Sequence, residues 1–300
     1  MRVLVTGASG FVGGHLVDAL QQADHDVVAL VRNAANYEPP SGVDVVEGDL
    51  LDPESIADAF DGVQAAYYLV HSMEAGEEFE ERDRRAARHF ADAASAAGVE
   101  RAIYLGGLGT DEDALSEHLR SRREVETILS DGDYDLTVLR AAIIVGAGSV
   151  SFRTIYQLAK RLPIMLTPEW VRTECQPIAI RDVVAYLVGV LETPETAGET
   201  YEIGGPDVLS YQEMLQTTAR LMGRHLRVVP VPVLTPRLSA YWVDLVTDVP
   251  AVVAHPLIEG LRNPVVVTDP AIEHLVAVDK TPFREAAARA LRAYGEDVDD

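Results

Sequence analysis

The chain predicts a doubly wound α/β sheet with a smaller C-terminal lobe, and three observations predict it. Six short runs rich in β-branched residues, from "RVLVTG" at Arg2 to "LTVLRAAIIVG" at Leu136, alternate with helical stretches. A glycine triplet, Gly7, Gly10 and Gly13, falls between the first run and the first helix. After about Gly148 the alternation loosens, which marks the start of a second lobe. Continuous apolar strands separated by amphipathic helices imply parallel pairing with both sheet faces covered.

In order, "RVLVTG" leads to a helix over Phe11 to Ala23, then to the strands "DVVALVR" and "VDVVEGD". A helix over Glu54 to Phe60 precedes "AAYYLVHS", one over Phe79 to Ala97 precedes "RAIYLGG", and one over Ser116 to Ser130 precedes "LTVLRAAIIVG". Each strand run is short and centred on β-branched and apolar residues, whereas the helical stretches between them are amphipathic. Beyond it, a helix over Phe152 to Arg161 and a Pro-containing loop lead to "CQPIAIRDVVAYLVGVLE", read as a strand and helix returning to the main sheet. "ETYEIGGP" adds one more strand, and helices near Tyr211 to Met222, Pro236 to Val246 and Phe283 to Tyr294 form the lobe. The expected organisation is a nucleotide-binding unit over 1–150, completed by about 176–204. The lobe takes 151–175 and 205–295, and a disordered acidic tail runs over 296–300.

Three hundred residues, 48% of them hydrophobic, suffice for such a core with a lobe. The apolar stretch Val228 to Leu261 is interrupted by Pro230, Pro232, Pro236 and Pro250 and by charges, so no membrane-spanning run is expected. Cys175, the single cysteine, excludes an internal disulfide and a cysteine metal cage and fits a reducing cytoplasm. The 48 acids and 25 bases give a net charge of −23, and Lys160 and Lys280 are the only lysines. That field repels phosphate backbones and excludes nucleic acid as a partner. High acidity with almost no lysine resembles proteins of salt-in halophilic archaea, since a Debye length of about 3 Å near molar salt makes dense surface acids tolerable.

"VLVTGASGFVGGHL" sets Gly7, Gly10 and Gly13 in GxxGxxG spacing, with Ser9, Phe11 and Val12 between and beside them. Such glycines allow a tight turn, close backbone approach to a pyrophosphate and close helix packing, while the helix N-terminus supplies N–H donors. Where an acid after the second strand would bind ribose hydroxyls, the sequence has Arg32, which suits a 2′-phosphate and points to NADP(H). After the third strand, in "VEGDLLD", Asp49 beside Leu50 is placed to accept from an adenine amino group, or equally to cap the helix near Pro53.

These motifs, with "YYLVHSM", "GVERAIYLGGL", "TVLRAAIIVG", "PIAIRDVV" and "YEIGGPDVLSYQEM", resemble the extended and atypical short-chain dehydrogenase/reductase superfamily, particularly its NAD(P)-binding members related to nucleoside-diphosphate-sugar epimerases. The resemblance implies a Rossmann-type fold. It places Leu69, Val70 and His71 along the cofactor, and Ala141, Ala142 and Ile143 near the nicotinamide. It also implies a Tyr-xxx-Lys pair with a serine, and here the chain departs. His118 and Arg122 stand in the positions of the tyrosine and lysine, Gly106 and Gly107 in the serine's neighbourhood, and Asp83 where a helper asparagine is usual. His118 and Arg122 share a helix face at spacing four, so Arg122 can bind ribose or phosphate and His118 can donate a proton, or both simply pair charges on a solvated helix. A literal Tyr-xxx-Lys, Tyr156 and Lys160, lies in the lobe and reads as coincidence. Tyr67, Tyr68 and Tyr104 read as core aromatics, with Ser72 and His71 better placed at a strand tip.

The expected function is an NADP(H)-dependent reductase of a small carbonyl, enone or quinone with a rebuilt active site and no metal. One alternative is a weakly catalytic or non-catalytic cofactor-binding protein, similar to NmrA-like redox sensors or to the accessory subunit of respiratory complex I. A sugar-nucleotide epimerase or dehydratase is another. The substrate is a small molecule, apolar in one reading. An open, apolar pocket lined by Tyr156, Trp170 or Trp242 would argue for a substrate and a filled one for cofactor binding alone, and Leu238, Tyr241, Trp242 and Leu245 form a helical stripe facing core, pocket, protein partner or second copy.

Overall fold

The computed structural model describes residues 1–71, 79–109, 117–230 and 263–298. Seven parallel strands form the central sheet: β1 (Arg2–Thr6), β2 (Asp26–Val31), β3 (Asp44–Glu47), β4 (Ala65–Tyr68), β5 (Arg101–Gly107), β6 (Asp135–Ala141) and, later in the chain, β11 (Thr200–Ile203). Their order is β3-β2-β1-β4-β5-β6-β11, so the winding reverses between β1 and β4. At such a reversal the loops leaving two neighbouring strands diverge and open a crevice at the carboxyl edge.

Alternation along each strand explains the layers. Val3, Val5, Val27 and Ala29 face one way and pack against Leu16, Val17 and Leu20 of α1 (Phe11–Gln22) and Val183, Leu187 and Val190 of α6 (Ile180–Glu192). Leu4, Val28 and Leu30 face the other way, onto Ala86 and Phe90 of α3 (Phe79–Ala97) and Val125 and Leu129 of α4 (Glu117–Leu129). Each fully buried aliphatic side chain contributes roughly 1.5–3 kcal/mol relative to exposure. Both faces are therefore apolar, as the uninterrupted runs predict.

The run Leu136 to Gly146 differs from the expectation of one strand. It divides into β6 and the short β7 (Ile144–Val145), which pairs in parallel with β10 (Ile178–Ala179) in a separate two-stranded ribbon. The return strand near Ile178 therefore does not rejoin the main sheet, because the edge beside β6 is filled by β11, with Thr200 opposite Val138. Ile178 N donates to Ile143 O at 2.9 Å and holds the ribbon in register.

The lobe packs α5 (Val150–Arg161), α7 (Tyr211–Leu221) and the C-terminal helix Phe283–Ala293 around Phe152, Met214 and Leu291. Two further ribbons flank it, formed by β9 (Glu174–Cys175) with β12 (Leu209–Ser210) and by β8 (Ile164–Thr167) with β13 (Arg227–Pro230). Buried Asp182 at the start of α6 accepts from Thr281 N at 2.6 Å and Thr281 Oγ1 at 2.9 Å, which ties the C-terminal segment to the sheet. At the chain end Glu296 differs from the disordered tail residue expected, because the lobe holds its carboxylate through Tyr156 and Lys160. The stripe Leu238, Tyr241, Trp242 and Leu245 lies outside the described residues.

Candidate functional site

The β1–α1 connection is the tightest part of the carboxyl edge. Gly7 has φ +72°, a conformation that side-chain-bearing residues avoid, and a Cβ there would stand 2.9 Å from Leu69 O. At Gly13 a Cβ would stand 2.2 Å from Gly7 O, so the first turn of α1 presses directly on the strand end. Ser9 and Gly10 are exposed, and Phe11 and Val12 are half-buried. Gly10 is the N-cap of α1 and no side chain caps it, so the helix presents its N-terminal amides and positive dipole end at the switch point. A cradle that a Cβ would fill, next to an uncapped helix start, fits the phosphates of a dinucleotide.

Arg32 follows β2, whose Leu30 is opposite Thr6, and so emerges beside this loop. It is exposed, and among the described residues it has no acid partner, in contrast to Arg2, Arg84 and Arg289. Asp49 does not cap α2 (Pro53–Ile56): Asp52 holds the N-cap position. Asp49 instead folds its own loop, with Oδ1 accepting from Leu51 N at 2.9 Å, next to buried Leu50. The reason is local, since a carboxylate two residues upstream of an amide reaches it most easily.

The strand tips stand side by side, because Thr6 is opposite Tyr68, Tyr68 opposite Tyr104 and Gly107 opposite Ala141. Leu69, Val70 and His71 thereby share one edge with Ala141 and, just beyond β6, Ile143. Below them Tyr67, Tyr68 and Tyr104 are fully buried in the core. His71 Nδ1 lies 3.5 Å from Asp83 Oδ2, on α3, and Ser121 Oγ on α4 donates to the same oxygen at 3.4 Å. Burial, and then the positive charge of Arg122, lower the His71 pKa to about 4 against the opposing pull of Asp83. Arg122 is half-buried, and its carbonyl accepts from Tyr104 Oη at 3.3 Å.

Arg122 thus acts on His71. The His118 side chain, like Ser72, lies outside the described residues. No spacing in the sequence joins His71, Asp83 and Arg122, which come from three elements; what was legible was the histidine at a strand tip and, through the resemblance, the positions of Asp83 and Arg122. Reading the sequence also missed the anchor of α4: Arg140 on β6 grips Glu126 through Nε at 3.2 Å and Nη2 at 2.5 Å, and Arg123 Nη2 donates to Gly109 O at 2.6 Å. At Gly107 a Cβ would stand 2.7 Å from Leu119 Cδ2, so the leucine side chain packs directly on this glycine.

Tyr156 and Lys160 are engaged elsewhere. Tyr156 Oη donates to Glu296 Oε1 at 2.6 Å, and Lys160 Nζ donates to Tyr156 Oη at 2.9 Å and to the same carboxylate. The Tyr156 ring stacks on Tyr294 at 4.7 Å. Burial, then the Glu296 carboxylate, raise the Tyr156 pKa, the opposite of what a proton-donating tyrosine requires. Burial likewise pushes the Cys175 thiol up to about 11, which leaves it inert. Among the described residues no group of His, Cys, Asp and Glu is arranged to hold a metal, and no helix is long and apolar enough to cross a membrane.

A family model described as NAD(P)H-binding matches residues 7–161. The chain is 30% identical to a ceramide reductase of Caulobacter vibrioides over 235 residues, covering 77% of this chain and 73% of that one. It is 26% identical to the mitochondrial NADH dehydrogenase [ubiquinone] 1 alpha subcomplex subunit 9 of Arabidopsis thaliana, covering 76% of this chain and 60% of that one. The solved triphenylmethane reductase of Citrobacter sp. complexed with NADP(H) aligns with a TM-score of 0.77 at 19% identity, over 97% of this chain and 100% of that one, a likeness of fold.

Proposed function

The chain belongs to the NAD(P)H-binding family, and from that premise we propose that it is an NADP(H)-dependent reductase of a small activated acceptor: an enone, a quinone or a reactive carbonyl. The observation that carries this reading is the cradle in which Gly7, Gly13 and Leu69 leave an uncapped helix start open at the switch point. Arg32 supports NADP(H) over NAD(H), because an exposed guanidinium without an acid partner among the described residues suits a 2′-phosphate. When bound, the dinucleotide supplies the hydride.

The chain's own residues provide positioning more than acid. His71, neutral above about pH 4, lies at the tip of β4 beside Asp83 and serves as a hydrogen-bonding group with no ready proton at neutrality. Arg122, whose charge already bears on His71, would bind a ribose or phosphate oxygen in this reading, and His118, one turn earlier, would donate a proton. General acid assistance is worth about 10²–10⁴-fold, so its weakening favours substrates that accept hydride without it. An apolar substrate is in keeping with the similarity to a ceramide reductase.

The test is a titration of NADPH and NADH followed by assays with quinones and enones. NADPH should bind about tenfold tighter, and Arg32→Asp should erase the difference. Equal affinities in the unaltered protein would defeat the NADP(H) assignment. A second reading, a cofactor-binding partner subunit, is favoured by the similarity to the NADH dehydrogenase subunit. It gains if NADPH raises the melting temperature while no acceptor is reduced. The acidic, lysine-poor surface supports an origin in a high-salt cytoplasm, and the melting temperature should then keep rising into molar KCl, beyond the range of simple screening.

A further inference from the structure

In a chain with 48 acids and 25 bases, the stretch between Glu213 and Pro230 has no acid, and it carries Arg220, Arg224, His225 and Arg227, all exposed. It is set against the end of α5. Arg227 N donates to Pro163 O at 3.0 Å, and Arg224 Nη1 donates to Lys160 O at 2.6 Å. From there β13 runs parallel to β8, with Arg227 opposite Ile164 and Val229 opposite Leu166. Met165 and Thr167 turn inward and are buried, while Ile164 and Leu166 turn outward at 58% and 57% exposure. No other large apolar residue among the described ones is as exposed. Residues opposite one another in a ribbon share a face. One face of the β8–β13 ribbon therefore shows Ile164, Leu166 and Val229 beside Arg227, with Arg224 and His225 at its leading end.

We propose that this ribbon face docks on an anionic phospholipid surface, with Ile164 and Leu166 entering the interfacial layer and the arginines meeting lipid phosphates. Charge complementarity selects this occupant. A body of net charge −23 is repelled by an anionic bilayer, whereas the stretch between Glu213 and Pro230 brings arginines and no acid to this face, and the nearby Glu296 carboxylate is already engaged by Lys160, so approach by this face is favoured. Two protruding aliphatic side chains supply apolar area that salt does not screen. The proposed attachment is peripheral and reversible, as expected of two aliphatic side chains and a few arginines. The proposal stands apart from the dinucleotide cradle and does not depend on the reductase reading.

Flotation of the full chain tests it, using vesicles of phosphatidylcholine alone and of phosphatidylcholine mixed with phosphatidylglycerol. The protein should float with the mixed vesicles and not with phosphatidylcholine alone, and added salt should weaken binding. Arg224→Ser/Arg227→Ser should lower the partition about tenfold or more, near the effect expected for two interfacial charges. Ile164→Ser/Leu166→Ser should lower it by a similar factor, with unchanged melting temperature as the check on folding. Binding that ignores phosphatidylglycerol content in the unaltered protein overturns the proposal without any variant, as does flotation of both variants equal to that of the unaltered protein. A dimer broken by Ile164→Ser/Leu166→Ser in a protein that ignores vesicles would also overturn it, and would assign the face to a second copy.

Discussion

The strand tips of the sheet and helix α5 of the lobe carry opposite kinds of information. On α5, Tyr156 and Lys160 spell the Tyr-xxx-Lys pair of the resembled superfamily, yet both are held on Glu296 and the tyrosine is stacked on Tyr294. At the strand tips Asp83 and Arg122 stand at superfamily positions with other residue types and His71 belongs to no spaced motif, yet three separate elements bring them together. A pair of residue types four apart on a helix establishes only a shared face. What that face meets is a property of the fold, and here it meets the chain's own C-terminal end.

The largest effect should come from filling the cradle. Gly13→Val puts atoms where Gly7 O lies within 2.2 Å of a Cβ, so NADPH affinity should fall about 100-fold or more by titration, with a lowered melting temperature. Wild-type affinity in a folded Gly13→Val protein would show that this edge is not the cofactor site, and the contrast with α5 would collapse.

Acid titration sharpens the comparison next. The pKa of His71 falls from an ordinary 6.5 to about 4 in the folded chain, so the unfolded chain binds the proton more readily. Its contribution is complete above pH 6.5 and is lost as pH falls towards 4, a change on the order of 3 kcal/mol. Denaturant midpoints across that window should fall more steeply in the unaltered protein than in His71→Gln. Parallel curves would mean that His71 is not held neutral by its surroundings.

The smaller effects separate the two regions directly. His118→Ala should reduce turnover of a quinone or enone about tenfold or more if that histidine supplies the proton. Tyr156→Phe should retain most turnover and lose about 1 kcal/mol of stability, the worth of its hydrogen bond to Glu296. The reverse pattern, with Tyr156→Phe inactive and His118→Ala unaffected, would return the chemistry to the lobe.

The sequence by itself determined the strands and helices of the sheet, the position of the glycine cradle and the cation at Arg32. Each of these is written in contiguous residues: apolar runs, helical spacing, glycines after a strand, a base where an acid is usual. Tertiary structure alone decided that the run after β6 breaks at Ala142 and Ile143 so that β11 can take the sheet edge, because which strand fills an edge depends on competition between distant segments. It also decided that Arg122 bears on His71, that Glu126 anchors α4 through Arg140, and that Tyr156 and Lys160 close on Glu296. Such contacts join residues 14 to 140 positions apart, and electrostatics and burial act through space, where sequence spacing carries no distance.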